Sequence, residues 1–175
     1  MSASRIVEKL TDNKFLNIKQ VKDPEMGVGG YQFAERKGKN SVAFICYDKD
    51  TELFLLNNEY KPPTNEFILG AFGGSIDKDM DYNYIVKAEV KEEAGFDVDI
   101  EDILCVGTSF VSTQMNQYCY LYLVYVDGKN QGEREPENAI EELAKTRWVV
   151  RVGIDGLDDW KAITIVAKAS NIGVI

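Results

Sequence analysis

The stretch 73-GGSIDKDMDYNYIVKAEVKEEAGF-96 decides how the chain is read. A glycine pair closes an apolar run, an acidic loop follows, and an amphipathic segment then ends on Ala94-Gly95. Asp81 suits a helix N-cap, and Gly95 stands where a helix stops by turning left-handed. Placed on one helix at about 100° per residue, Tyr82, Val86, Val90 and Ala94 form an apolar stripe. Glu89, Glu92 and Glu93 fall within an arc of roughly 100° that overlaps one edge of it, away from Lys87 and Lys91. Glu89 and Glu93 are an i, i+4 like-charge pair, which costs about a few tenths of a kcal/mol. Carboxylates beside an apolar face also lose hydration and need a partner. A Glu-x-x-Glu-Glu cluster by itself is commonly a solvated helix face. The alternative is a hard divalent cation bound through oxygen, and Mg²⁺ is the usual one where phosphates are also ligands.

The flanking residues favour the alternative. Gly74, Glu89, Glu92, Glu93 and Gly95, with apolar Val90 and Phe96, keep the spacing of the Nudix box over about 23 residues. The stretch therefore resembles the Nudix hydrolase family. Two anchors differ: Met80 stands for the first Glu of the pattern and Ala88 for its Arg, which in the family orients a metal-binding Glu. The resemblance implies that Glu89, Glu92 and Glu93, with the carbonyl of Gly73, hold Mg²⁺, or Mn²⁺ in its place.

Upstream, 53-LFLLNNEYKPP-63 and 68-ILGAFGGSID-77 are similar to the ADP-ribose pyrophosphatase subgroup. Lys61 stands at that subgroup's strand-end Arg, and Phe72-Gly73-Gly74 at its Pro-Ala-Gly. Gly70 replaces a Glu that often joins the metal site. On this resemblance Lys61, Gly73 and Gly74 are the expected substrate contacts. The subgroup also brings a loop glutamate to the site ahead of a late strand; here Glu141 or Glu142, before Thr146, hold that place. The Pro that ADP-ribose-preferring members carry past the box is absent from Val111-Ser112-Thr113-Gln114.

The rest of the chain bounds these readings. Its 175 residues suffice for one domain with a substantial core, and 45% hydrophobic with 28% charged residues is ordinary globular composition. A net charge of −9 disfavours DNA and long RNA as partners, because phosphate backbones are repelled. There is no histidine, so acid–base work falls to carboxylates, Lys, Tyr or Cys. Nothing reads as a signal peptide, and no apolar run approaches the ~18 residues of a membrane helix. Cys46, Cys105 and Cys119, odd in number and each in a strand-like run, read as reduced core residues of a cytoplasmic protein.

Residues 1–13 read as a polar lead, with at most a helical turn. Strands are expected over 15–21 and 31–36, parted by a Gly27–Gly30 turn. A hairpin follows over 41–47 and 52–57, with pairing broken at Pro62-Pro63. Later strands are expected over 103–111, 117–126 and 146–151, and the tyrosines at 118, 120, 122 and 125 read as sheet packing. A mobile acidic loop spans 127–142, and a last helix over 160–169 is capped by Asp158 or Asp159. The fold expected is an α/β/α sandwich of mixed sheet, Nudix-like over 41–175, with a small antiparallel sheet over 1–40. In the resembling subgroup such a sheet builds a homodimer.

The activity implied is metal-dependent hydrolysis of the diphosphate in a small nucleoside diphosphate derivative, ADP-ribose-like, to AMP and ribose 5-phosphate. Two alternatives stand beside it. One is a Nudix hydrolase of another nucleotide: NADH, a dinucleoside polyphosphate, a nucleoside triphosphate or capped RNA. The other is a Nudix-fold domain that binds a nucleotide or protein without catalysis, as Met80, Ala88 and Gly70 would suit.

Overall fold

The computed structural model describes residues 4–76 and 79–175. Ten strands and three α-helices follow one another as β1 (Ile6–Lys9), β2 (Leu16–Asp23), β3 (Val28–Arg36), β4 (Ser41–Asp48), β5 (Leu53–Lys61), β6 (Glu66–Gly70), β7 (Phe72–Ser75), α1 (Tyr82–Glu89), β8 (Ile103–Phe110), β9 (Tyr118–Val126), α2 (Ala139–Leu143), β10 (Lys145–Val149) and α3 (Trp160–Asn171).

The main sheet has seven strands, ordered β10-β5-β4-β9-β8, with β6 added to β5 and β7 to β4. It is mixed: β4 and β9 run parallel, and the other pairs are antiparallel. The central strand β4 reads SVAFICYD and is apolar at consecutive positions because both its faces are covered. Val42, Phe44 and Cys46 join Val86, Val90 and Phe96 on the α1 side. Ala43 and Ile45 join Ala162, Ile165 and Val166 of α3 on the other. These are the two cores of an α/β/α sandwich. No helix among the described residues is long and apolar enough to cross a membrane.

Several sequence expectations shift. The amino-terminal lead forms a strand rather than a helical turn: β1 pairs with β2, giving a three-stranded antiparallel sheet β1-β2-β3. Its turn falls at Pro24–Gly27, where Gly27 takes φ 70°, and Gly29 and Gly30 lie within β3. Pairing does not end before the prolines. Strand β5 runs on to Lys61 opposite Glu66, and Pro62-Pro63 occupy the turn, where no ladder N–H is required. Cys46 and Cys119 are buried free thiols, but Cys105 is exposed on β8, the last strand of the main-sheet path. Among the tyrosines, Tyr122 is buried and Tyr120 packs edge-on against Tyr82, whereas Tyr118 is exposed beside Phe110. Asp159, not Asp158, caps α3 by accepting from the Ala162 N–H at 2.8 Å.

The small sheet contains no buried residue. It joins the main body through Ala34, whose N–H donates to the Gln114 carbonyl and whose carbonyl accepts from Asn116 N–H. Tyr31 Oη adds a bond to the Thr113 carbonyl at 2.8 Å.

Candidate active site

The acidic helix is set by its ends. Asp81 accepts from the Asn83 N–H at 2.8 Å, and Val86, Val90 and Ala94 are fully buried, which fixes the helix's rotation on the sheet. It is not one regular helix over 82–94. The α-helical turns end at Glu89, and Val90–Ala94 form a wider π-helical turn that closes on Gly95 at φ 77°. Such insertions recur at functional sites because they re-aim the side chains they carry. This one carries Glu92 and Glu93.

Glu93 is 5% exposed, among the few buried charged residues described. Its Oε2 accepts from the Gly73 N–H at 3.4 Å. Burial first, then the carboxylates of Glu89, Glu59 and Glu141, push its pKa up to about 8. Glu89 lies against the second glycine: a Cβ on residue 74 would stand 2.0 Å from Glu89 Oε1. The glycine pair is thus the floor on which both carboxylates rest. A Cβ on residue 73 would stand 3.0 Å from the Val42 carbonyl of β4 by the same measure.

Two cavities open from this floor and share Gly73, Gly74, Ser75 and Glu141. One, of about 410 Å³, also holds Glu89 and Glu92. The other, of about 330 Å³, holds Glu93, Glu59, Lys61, Arg36 and Lys161. Lys61 pairs with Glu59 at 2.6 Å, Lys161 with Asp159 at 3.5 Å, and the Arg36 guanidinium donates to the Ser75 hydroxyl. Of the two loop glutamates, Glu141 lines both cavities, while Glu142 is exposed and lines neither. Glu141 is oriented by the Glu137 N–H, which donates to its Oε2 at 2.7 Å, and by the Asn138 side-chain amide at Oε1.

The loop expected to be mobile is tied to the helix end instead. Gln131, Gly132, Arg134 and Glu135 donate to the carbonyls of Ala94, Gly95, Glu93 and Glu92 respectively, at 2.6–3.0 Å. Those carbonyls have no acceptor role left inside a finished helix, so the loop serves as their cap. Arg134 also reaches the Ala144 carbonyl at 2.6 Å and the Glu141 carbonyl at 2.9 Å, which links the acidic turn to α2.

Arg36, Glu59 and Lys161 were not singled out from the sequence as site residues. Each comes from a distant element: Arg36 ends β3, Glu59 lies on β5 and Lys161 stands in the first turn of α3. The sequence signal for Lys161 was its place two residues after the α3 cap. At Gly70, the missing side chain's room is filled by Asp159, whose Oδ2 lies 2.9 Å from where a Cβ would stand.

The donor set suits a hard cation. The side chains that converge here offer carboxylate oxygens, and a buried carboxyl among like charges is short of positive charge. Among the described residues no three such side chains form a ready cage, so a cation here would retain part of its water shell, as Mg²⁺ commonly does.

No protein-family model matches the sequence, and a search of curated proteins finds no match. The fold does have solved counterparts. The chain superposes on the crystal structure of an ADP compounds hydrolase with a TM-score of 0.73 at 13% identity, covering 100% of this chain and 99% of that one. The architecture is therefore a Nudix-like α/β/α sandwich with an added amino-terminal sheet.

Proposed function

We propose that the protein is a metal-dependent hydrolase of the diphosphate linkage in a small nucleoside diphosphate derivative, an ADP-ribose-like substrate being favoured. The observation that carries this reading is the glycine floor at Gly73-Gly74. It sets a buried Glu93 and a neighbouring Glu89 beside a cavity that also holds Arg36, Lys61 and Lys161. The shared fold with an ADP compounds hydrolase supports the reaction class.

Glu89, Glu92 and Glu93, with the Gly73 carbonyl, would hold the Mg²⁺. When bound, the ion neutralises the diphosphate and lowers the pKa of a water. Arg36, Lys61 and Lys161 bind and orient the phosphate oxygens, and Arg36 is held for this by Ser75. Glu141, fixed through both oxygens, accepts the proton of the attacking water. Water adds to one phosphorus, the bridging P–O bond breaks, and ADP-ribose yields AMP and ribose 5-phosphate. We further propose a homodimer joined through the β1-β2-β3 sheet.

The test is product release from ADP-ribose and a nucleotide panel with Mg²⁺ or Mn²⁺, and with a chelator. Metal-dependent cleavage of one compound, lost in Glu93→Gln, is the expected result. A second reading, a nucleotide-binding domain without catalysis, is favoured by Met80 and Ala88 standing where the Nudix box carries polar residues. It predicts binding without cleavage of any compound in that panel.

A further inference from the structure

The two cavities that meet at Gly73–Ser75 differ in kind. All three cations named above line the smaller one. In the larger one, no lysine or arginine lines the wall among the described residues. One side of it is apolar: Met80, Tyr84, Ile85 and Ala88. Tyr84 is 56% exposed and Met80 43%, so an aromatic ring and a thioether are left open to solvent at the mouth of the site. Apart from the shared floor, the rest of its lining is acidic: Glu89 and Glu92 of the same helical segment, and Glu137 and Glu141 beyond the residues that Arg134 ties to the helix. Met80, just ahead of the helix cap, and Ala88 on the helix, the two departures from the box pattern, both line this cavity. Ala88 is exposed there and lines the cavity with a single methyl.

We propose that this cavity is a subsite for the nitrogen heterocycle of the substrate, stacked on Tyr84 against Met80, with its amine donated to Glu137. The inference rests on the hydrolase reading for the word substrate, but the subsite is a binding claim in its own right. Three features carry it. An exposed tyrosine ring with a neighbouring methionine is a stacking platform that accepts any flat heterocycle. The carboxylates of Glu137 and Glu141, which accept and cannot donate, favour N–H donors over carbonyl oxygens. The shared floor lets one extended ligand place its phosphates by Arg36, Lys61 and Lys161 and its ring by Tyr84. The ring therefore lies on the outer side of the acidic helix, and Ala88 is a specificity position in this chain.

Calorimetric titration of the full chain in Mg²⁺ tests this without turnover, with AMP, IMP and ribose 5-phosphate as probes. AMP is expected to bind tighter than IMP, since IMP carries a carbonyl in place of the amine. Tyr84→Ala should weaken AMP at least about fivefold, the scale of a lost base stack, and leave ribose 5-phosphate unchanged. Ala88→Arg should weaken AMP comparably, by filling the cavity. Glu137→Gln should narrow the gap between AMP and IMP. Both Tyr84 and Ala88 are exposed, so neither variant threatens the fold. Unchanged AMP affinity in Tyr84→Ala and Ala88→Arg, or no saturable AMP binding by the wild type, overturns the subsite. Equal affinity for AMP and IMP overturns its amine selectivity. Cleavage of ADP-ribose with these variants unaffected leaves the hydrolase reading standing without the subsite. AMP binding that depends on Tyr84 in a protein that cleaves nothing leaves the subsite standing without the hydrolase.

Discussion

Glu93 and Gly74 place opposite demands on the molecule, and each can be separated from the fold by one substitution. A carboxylate at 5% exposure with like charges around it costs folding free energy that a bound cation would offset. Glu93→Gln removes the charge and keeps the shape. Turnover should fall by on the order of a hundredfold or more, while the melting temperature measured in chelator at pH 8 should rise. A fall in both would mean that the carboxylate holds the fold rather than the reaction. Gly74→Ala tests the neighbouring contact. The new methyl meets only the flexible end of Glu89, so the side chain swings away and the backbone stays. Activity should drop with a change in stability below about 1 kcal/mol. Glu35, beside Arg36 on β3, shows the reverse balance. Burial works against its charged form, but bonds from Lys19 and Asn116, with the charges of Lys19 and Lys39, outweigh it and hold the acid below its ordinary value of 4.5. Its contribution is therefore present above that value and lost as pH falls through the lowered one. Glu35→Gln should destabilise the protein at pH 7, by an amount that shrinks as the pH is taken down below 4.5, as read from urea midpoints along a pH series.

At the level of elements, the acidic turn and the 131–135 loop behave as one unit, with Arg134 as its fastener. Its guanidinium satisfies carbonyls of Glu93, Glu141 and Ala144 together. Arg134→Met keeps much of the packing and loses all three bonds. It should cost on the order of 3 kcal/mol and lower kcat/KM, because the segment bearing Glu141 loosens against the turn bearing Glu93. Unaltered kcat/KM with the expected loss of stability would detach Glu141 from the reaction. Gly95→Ala strikes the same joint from the backbone side. It needs φ 77° and brings a methyl to 2.6 Å from the Gly132 carbonyl, a strain of about 1–3 kcal/mol. This unit also marks where sequence reading runs out. The stripe Tyr82, Val86, Val90, Ala94 and the cap Asp81 follow from local periodicity and short-range hydrogen bonding, and the structure has them in place. The π-turn, the capping of four carbonyls by a loop some 40 residues away, and the arrival of Arg36 and Lys161 depend on tertiary contacts that no local pattern encodes. A polar, acidic, proline-containing segment has the composition of a mobile loop whether or not a helix end elsewhere needs its N–H groups.

The whole molecule divides into a body with two packed cores and a three-stranded sheet with none. Every described residue of β1, β2 and β3 keeps some exposure. Ile6, Val7, Leu10, Phe15 and Leu16 are each more than two-fifths exposed. Two or three strands without a covered face are marginal in water, and the few bonds through Ala34 and Tyr31 anchor the sheet without burying it. A second copy would supply the missing cover, and a two-fold arrangement would do so once for each chain. Light scattering at micromolar concentration should then give twice the 19.7 kDa chain mass. Val7→Glu combined with Leu10→Glu should halve that mass by placing like charges across the joint. The sheet also bears on the site, because Phe15 and Leu16 share a cavity with Arg36, Ser75 and Gln117. Loss of the partner should therefore raise KM for the nucleotide more than it lowers kcat, since what moves is the strand that presents Arg36 to phosphate and not the glutamates of the acidic helix. A monomeric wild type with full activity would leave the small sheet without a partner and return the placing of Arg36 to its bond with Ser75 alone.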